Sequence, residues 1–151
     1  WQRATKPFAV DGREFPFKKK DQWLDEHFLP RFVDRIVPPR LVDAPNSVCH
    51  YVSCIPYVPK PEGVLYSPDF FCTLRKGEPI DHAVLHCCFL LGINLRAFVC
   101  LGTTFHGEPH AWVATFREDG AVLFWEPYLG TGCYVLPERL VLPAEACGHG
   151  V

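Results

Sequence analysis

The sequence predicts an α+β fold in which a central helix packs on an antiparallel sheet. An apolar helical pattern covers residues 79–91, where Ile80, Val84 and Cys87 share one broad face. Three strand patterns follow at residues 96–103, 110–116 and 121–125, with a weaker fourth at 133–136. Glu118-Asp119-Gly120 supplies the turn between the second and third strands, so we expect an antiparallel meander.

The first 40 residues are predicted to form an extension and one helix. Residues 1–20 show no sustained period and are expected to be extended or irregular, with a basic run at 13–20 that is either a solvated face or mobile arm, or a binding patch. From Asp21 onward, apolar side chains recur at intervals of three and four residues, which predicts a helix. Asp21 is its expected N-cap, Pro30 splits or kinks it, and Pro38-Pro39 ends it.

The segment before the central helix has no regular pattern. Residues 40–70 hold several prolines and short apolar stretches, which fits loops with a short strand or helix. Pro79 suits the first position of the central helix because a missing N–H costs nothing there, and Glu78 and Asp81 favour the positive end of its dipole. Gly92 is expected to form the turn that ends this helix.

Length and charge indicate one domain and exclude several classes of function. The chain has 151 residues, enough to bury roughly 70% of its unfolded surface. We expect an N-terminal extension and helix at residues 1–40 and the main domain at 41–151, in one compact unit. A net charge of −2 gives no general attraction to nucleic acid or anionic membranes, and no apolar run reaches the ~20 residues of a membrane span. The chain begins with Trp1 and not with Met, so we expect a fragment of a longer protein.

The eight cysteines are expected to be free thiols. Cys87 and Cys88 are adjacent within an apolar helical pattern, and Cys100 lies in an apolar strand pattern, where free cysteine acts as a small hydrophobic residue. None of the cysteines forms a C-x-x-C pair. This placement favours a protein of the reducing cytoplasm.

The sequence contains the partners of a catalytic cysteine without the cysteine. In cysteine-type sites a thiolate at a helix N-terminus is stabilised by the helix dipole and by an imidazolium, which a carboxylate orients. Here Pro79 begins the helix, His110 begins a strand, and Glu126 ends the next strand. If the turn between these strands is a three-residue loop, Trp112 opposes Glu126, and His110 shares a face with Glu126 within reach of a hydrogen bond. A two-residue loop would put them on opposite faces. On spacing alone, a structural histidine and a solvated acid are an open alternative.

Three blocks of the sequence carry a family resemblance: YVSCIPYVP, GEPIDHAVLHCCFLLG and AFVCLGTTFHGEPHAWVATFREDGAVLFWEPYLG. Over about residues 50–130 the chain resembles the transglutaminase-like domain, within the papain-like cysteine-peptidase superfamily, of ciliary and centrosomal proteins that also carry C2 domains. In catalytic relatives the helix opens with a motif similar to G-D-C-x-D-H-A. Gly77, Asp81, His82 and Ala83 match this motif, and Pro79 stands at the cysteine position. The resemblance assigns His110 and Glu126 to the histidine and acid positions, where Asp is more usual in active enzymes.

The resemblance implies a module that has lost catalysis, because proline has no side-chain nucleophile. We expect it to bind a protein or peptide, centriolar or cytoskeletal, in the cytoplasm at the centrosome, centriole, basal body or ciliary base. No cofactor, metal, nucleic acid or membrane insertion is expected. The degenerate cleft is predicted to be formed by Glu78, Pro79, His82, His110, Trp112 and Glu126. Phe124, Trp125 and Tyr128 could line a peptide groove, although core packing also explains them; Trp125 should point away from the face of Trp112.

Two other classes of function stay open. An active hydrolase or acyltransferase would use Cys72, which precedes the helix by a loop, or a metal held by His82 and His86, four residues apart on one helix face, with His110. The thiols of the central helix lie about 12 Å along its axis from the N-terminus, too far from the cleft. A purely structural docking domain would leave the cleft vestigial.

Overall fold

The computed structural model describes residues 18–135, with side chains through residue 132, and its elements are α+β as predicted. Three helices pack around a four-stranded antiparallel sheet, with α3 in contact with both other helices and with two strands. The predictions for residues 1–17 and for the tail after residue 135 lie outside the described residues. In chain order the elements are β1 (Lys18–Lys20), β2 (Glu26–Phe28), a 3-10 helix (Leu29–Phe32), α1 (Pro45–Ser53), α2 (Pro68–Leu74), α3 (Pro79–Gly92), β3 (Ala97–Thr103), β4 (Pro109–Phe116), β5 (Val122–Glu126) and β6 (Thr131–Val135).

The sheet is the predicted meander, in the order β3, β4, β5, β6 with each neighbouring pair antiparallel. The predicted strands differ from the observed ones only at their ends. In the β4–β5 turn, Gly120 is left-handed (φ +82°) and the Arg117 N–H donates to the Ala121 carbonyl at 3.0 Å, as a three-residue loop requires. Val113 pairs with Trp125, and the predicted register is confirmed.

The central helix α3 is buried along most of its length, as predicted. Pro79 is its first residue, and the Glu78 N–H donates to Asp81 Oδ2 at 2.9 Å in a capping box. The prediction for Gly92 is wrong in detail, because Asn94 is the residue that takes the left-handed conformation (φ +65°). Gly92 is the last residue of α3, and it is required for another reason. A Cβ at this position would lie 1.8 Å from the backbone carbonyl oxygen of Ile36.

The predicted helix after Asp21 is wrong. Asp21 Oδ1 accepts the backbone N–H groups of Trp23 (2.8 Å) and Asp25 (3.1 Å), and Leu24 is left-handed (φ +69°). A side-chain turn of this kind competes with helix formation, so Asp21 caps a turn and not a helix. The chain then returns as β2, antiparallel to β1, and Pro30 lies in the first turn of the short 3-10 helix.

Residues 40–70, for which loops with a short strand or helix are predicted, contain the helix α1 and the first residues of α2. Both begin at a proline, Pro45 and Pro68, and the Ser67 hydroxyl accepts the Phe70 N–H at 3.4 Å. These helices are too short for an apolar period to show in the sequence. Their burial comes from packing, since α1 and α2 both contact α3.

Other predictions concern the surface and the thiols. Lys18–Lys20 of the basic run form β1, in which the first and third side chains are exposed, so this part of the run is a solvated strand. The cysteines with described side chains are free: Cys49, Cys54, Cys72, Cys87, Cys88 and Cys100. Within residues 18–135, no helix is long and apolar enough to cross a membrane. The division of the chain at residue 40 stays a prediction.

Candidate functional site

The β4–β5 hairpin places His110 and Glu126 side by side. Extending the ladder one step past the Val113–Trp125 pair sets Trp112 opposite Glu126, and His110 shares the face of Trp112. His110 Nε2 donates to Glu126 Oε2 at 2.6 Å, a short hydrogen bond to a carboxylate. The two side chains retain 16% and 17% exposure, so the pair is reachable from solvent.

The pair has an aromatic neighbour beside His110 and a buried oxygen atom on Glu126. The Trp112 ring centroid lies 4.7 Å from that of His110. Glu126 Oε1 is buried and has no hydrogen-bond partner among the described residues. Cys49 of α1 is close enough to respond to this carboxylate: burial, and then the charge of Glu126, raise the pKa of the Cys49 thiol to about 11. The thiol is therefore neutral at physiological pH and is not an activated nucleophile.

Trp125 points to the opposite face of the sheet, as predicted. Its ring centroid lies 5.5 Å from that of His86 on α3, and its indole N–H donates to Thr115 Oγ1 at 3.0 Å. Trp125 is therefore a core residue. The same alternation places the His110 side chain on the face of the sheet opposite Trp125 and His86.

The start of α3 lies at this same end of the sheet. Tyr128, two residues after Glu126, has its ring centroid 5.5 Å from that of His82 in the first turn of α3. Glu78 and Pro79, just before His82, are half-buried. The Tyr128 ring therefore connects the first turn of α3 with the chain segment that follows β5, the strand that ends at Glu126.

Tyr57 is a residue of this region that the sequence did not single out. It forms a parallel bridge with Gly77, two residues before Pro79, and its ring centroid lies 6.2 Å from that of Tyr128. Tyr57 and Tyr128 are 48% and 36% exposed. Exposed tyrosines therefore lie beside the helix start. Only the block YVSCIPYVP in the family resemblance pointed to this segment.

His82 does not line an accessible cleft. It has no exposed surface, and its two ring nitrogens lie 2.8 Å from the carbonyl oxygens of Glu78 and Ile55. It is a core histidine that ties the helix start to the segment after α1. A metal bound by His82, His86 and His110 is not supported, because the His82 nitrogens are occupied and His86 packs on Trp125, across the sheet from His110.

Asp81, a matched position of the family motif, has a structural role. Its carboxylate forms an ion pair with Lys60 and accepts the Tyr66 N–H at 3.0 Å, besides its bond to Glu78. The Lys60 and Asp81 side chains are 2% and 0% exposed. Burial lowers the pKa of Lys60, and the nearby Asp81 carboxylate opposes that shift. Lys60 was not predicted, because nothing near it in sequence indicates a buried partner.

Cys72, Cys87 and Cys88 lack the lowered pKa of an activated nucleophile. Burial, and then Asp69, raise the pKa of Cys72 above its ordinary value. Burial raises the pKa of Cys87 to about 12 and that of Cys88 to about 11. A catalytic thiol requires the opposite shift, so the Cys72 alternative lacks the electrostatics of an activated cysteine.

One group of side chains within residues 18–135 has the chemistry of metal ligands. One ligand atom from each of Asp21, Asp25 and His27 lies within 4.8 Å of the others. Asp21 Oδ2 already accepts the His27 Nε2–H at 2.9 Å, and its other oxygen accepts two backbone N–H groups. These bonds satisfy Asp21, and the group fits a role in the turn that precedes β2.

Comparisons with known proteins found a matching family and several similar proteins. The family described as the CEP76 peptidase-like domain matches residues 63–146. A C2 domain-containing protein of Plasmodium falciparum (isolate 3D7) is 37% identical over 134 residues, which is 85% of this chain and 7% of that protein. A C2 domain-containing protein of Toxoplasma gondii is 41% identical over 132 residues, 84% of this chain and 7% of the relative. The Centrosomal protein of 76 kDa of Homo sapiens is 41% identical over 117 residues, 70% of this chain and 18% of the relative. The chain thus spans a small part of each relative's length.

Proposed function

This chain belongs to the CEP76 peptidase-like domain family, and from that premise we propose that it is a catalytically inactive, transglutaminase-like module that binds a protein or peptide segment. The observation that carries the proposal is Pro79 at the first position of α3 together with an intact His110–Glu126 hydrogen bond. The ligand lies at the end of the sheet, in the degenerate papain-like cleft bounded by Pro79, Trp112 and this pair.

The residues at the site support binding and not acyl transfer. Proline has no nucleophilic side chain, and the buried thiols have raised pKa values. What the site does present is aromatic surface, from the exposed Tyr57 and Tyr128 and the half-buried Trp112, and a polar group, the His110 ring. Binding sites combine apolar and aromatic walls with a few placed polar groups.

The relatives supply the cellular setting of the proposal. Several are named centrosomal proteins, and we extend that setting to this chain as a cytoplasmic role at the centrosome, centriole or ciliary base. The ligand would be a centriolar or cytoskeletal protein segment. Imaging of the tagged protein in cells tests the proposed location: exclusion from centrosomes and ciliary bases would contradict the location without affecting the binding proposal.

The binding proposal is tested with a displayed library of peptides selected on the intact chain. His110→Ala and Trp112→Ala should each weaken the selected peptides at least tenfold, because a central aromatic or polar anchor contributes about 1.4 kcal/mol or more. His50→Ala and Trp23→Ala are the matched controls, since both side chains are exposed on other elements. If all four variants bind alike, the cleft is vestigial and the domain docks through another surface.

The enzymatic alternative is tested with an electrophilic acyl donor and mass spectrometry of the intact chain. We expect no stoichiometric labelling of a single cysteine at neutral pH. Labelling of Cys72, or of any other one thiol, that disappears in His110→Ala would show that the chain is an active cysteine enzyme.

A further inference from the structure

Strand β3 contains a glycine, Gly102, whose backbone conformation does not require glycine. Its φ is not positive, unlike those of the turn glycines Gly107 and Gly120, so a residue with a side chain could adopt the same conformation. Inside a strand, glycine lowers stability because it loses much conformational freedom on folding and has no side chain to pack. Another property must therefore favour glycine at position 102.

The space beside Gly102 is occupied by the ring of Trp112. A Cβ at position 102 would lie 3.1 Å from Cζ3 and 3.9 Å from Cη2 of this tryptophan. Apart from the neighbours of Gly102 in the chain, no other described residue has an atom within 4 Å of that Cβ. Carbon atoms in contact are ordinarily about 3.5–4.0 Å apart, so a methyl group here would push the ring aside.

This contact shows which way the Trp112 side chain leans. Cys100 lies directly opposite Trp112, whereas Gly102 lies directly opposite His110. The indole therefore reaches diagonally across β3, a distance that aromatic side chains span. Glu126 belongs to β5, on the other side of β4. Because the ring lies on the β3 side, the β5 side is open, and there His110 reaches Glu126 with the bond of 2.6 Å.

We propose that Gly102 is a positioning residue of the binding site: it leaves the space in which the Trp112 ring lies against β3, beside His110 and away from Glu126. This inference rests on the proposed function, because it concerns the same cleft. The ring centroids of Trp112 and His110 are 4.7 Å apart, so an indole displaced from β3 would disturb the histidine or its bond to Glu126. A side chain at position 102 would thus alter both the aromatic wall and the polar group that a ligand meets.

Gly102→Ala tests the proposal with the peptides selected on the parent chain. Their dissociation constants should rise about fivefold or more, within the range of coupling between residues in contact. Gly132→Ala is the matched control, because its Cβ would lie 3.2 Å from the ring of Trp125 on the opposite face of the sheet, and it should leave the affinity unchanged. Binding is measured well below the melting temperature of each variant, so that a loss of affinity does not reflect unfolding. Parent-like affinity in Gly102→Ala would overturn the proposal and leave the proposed function standing.

A shorter ring at position 112 distinguishes positioning from a general effect on the strand. The two indole atoms nearest Gly102 lie at the far end of the tryptophan side chain, which phenylalanine does not reach. Gly102→Ala should therefore raise the dissociation constants by less than about twofold when it is made in the Trp112→Phe variant. An equal fold-change in both backgrounds would overturn the proposal, since the alanine would then act without the tryptophan.

The position of the ring can also be followed without a peptide. In ¹H–¹⁵N spectra of the intact chain, the indole N–H signal of Trp112 is assigned by its loss in Trp112→Phe. This signal should shift in Gly102→Ala and stay in place in Gly132→Ala; an unchanged signal in Gly102→Ala would overturn the proposal. If no peptide is selected on the parent chain, the proposed function fails, and the indole signal still decides whether Gly102 positions Trp112.

Discussion

A cysteine at position 79 would both begin the helix α3 and supply a nucleophile, whereas Pro79 only begins the helix. As the first residue of α3 it starts the helix without loss, because the N–H it lacks would have no intrahelical partner. It also leaves the positive end of the helix dipole without a nucleophile. The scaffold of the site can therefore persist after its chemistry is gone, which is the residue-scale basis of the proposed function.

Restoring the thiol tests whether the electrostatics of the helix start persist. In Pro79→Cys, the new thiol should be alkylated several-fold faster at pH 6 than the native Cys54, because helix N-termini lower thiol pKa values. Cys54 is an internal reference: it is exposed and lies at the C-cap of α1, the negative end of a dipole. Peptide mapping after limited alkylation measures both rates in one sample. Equal or slower alkylation of the new thiol would contradict the prediction.

The buried Lys60–Asp81 ion pair gives a prediction about stability. Asp81→Asn removes the carboxylate that is paired with the buried Lys60 ammonium, which costs on the order of 3–5 kcal/mol in the free energy of unfolding. Chemical denaturation measures this loss. Glu26→Gln is the matched control, because the Lys18–Glu26 pair is about half exposed and exposed pairs contribute about 0–1 kcal/mol. Similar losses in the two variants would show that Lys60 is not buried as the structure has it.

At the scale of elements, the sequence predicted the helix and the strands that have a clear apolar pattern. The α3 helix was predictable from a long apolar run, all of whose residues from 81 to 90 are buried, and the strands β3 to β5 were predictable from short apolar runs bounded by turns. The segment after Asp21 has helical spacing as well, but the Asp21 carboxylate binds backbone N–H groups and forces a turn that spacing does not reveal. A short strand or helix was expected within residues 40–70, but the positions of α1 and α2 were not predicted, because nine and seven residues hold few repeats of a helical period.

In the candidate site, contacts within one hairpin could be predicted from the sequence, whereas contacts between distant parts of the chain could not. The His110–Glu126 pair was predictable because strand alternation and loop length fix a hairpin register. His82 was placed in the cleft wrongly, since its burial depends on the Ile55 carbonyl, which is distant in sequence. Tyr57 and Lys60 were missed for the same reason: their partners come from other parts of the chain.

Burial of His86 on α3 predicts that stability depends on pH. Burial lowers the pKa of His86 from 6.5 to about 3, and neither ring nitrogen has a partner among the described residues. Between these values the unfolded chain binds a proton that the folded chain does not, so the free energy of unfolding falls as pH falls from about 6.5 toward 3. Above pH 6.5 the ring is neutral in both states and this contribution is constant. From pH 7 to pH 5 the loss from His86 is on the order of 2 kcal/mol.

Denaturation curves at pH 7 and pH 5 test whether the free energy of unfolding falls as the pH falls. The His86→Leu variant should lose less stability over the interval than the parent chain, because the variant has no group to titrate at this position. His50→Leu, at an exposed position of α1, should lose as much as the parent chain. The same loss in His86→Leu as in the parent chain would show that other groups carry the pH dependence.

At the scale of the whole molecule, α3 joins two layers, the sheet and the segment around residues 32–37. The contacts to this segment are polar and specific. The Ile36 N–H donates to the Cys88 carbonyl at 3.2 Å, the Asp34 N–H lies 3.4 Å from Cys88 Sγ, and this thiol donates to the Phe32 carbonyl at 3.7 Å. The backbone of the segment therefore lies directly against α3, and the absence of a Cβ at Gly92 permits this approach.

A methyl group at Gly92 should separate this segment from α3. In an ordinary helix, replacing glycine by alanine stabilises by about 1 kcal/mol. Here the Cβ would lie 1.8 Å from the Ile36 carbonyl oxygen, and a backbone contact cannot be relieved by a side-chain rotation. We expect Gly92→Ala to lower the free energy of unfolding by about 1–3 kcal/mol, as overpacking does. Hydrogen exchange should quicken at the Ile36 amide, whose bond to Cys88 is broken, before it quickens in β4 and β5. An increase in stability would instead show that the two layers do not meet at this glycine.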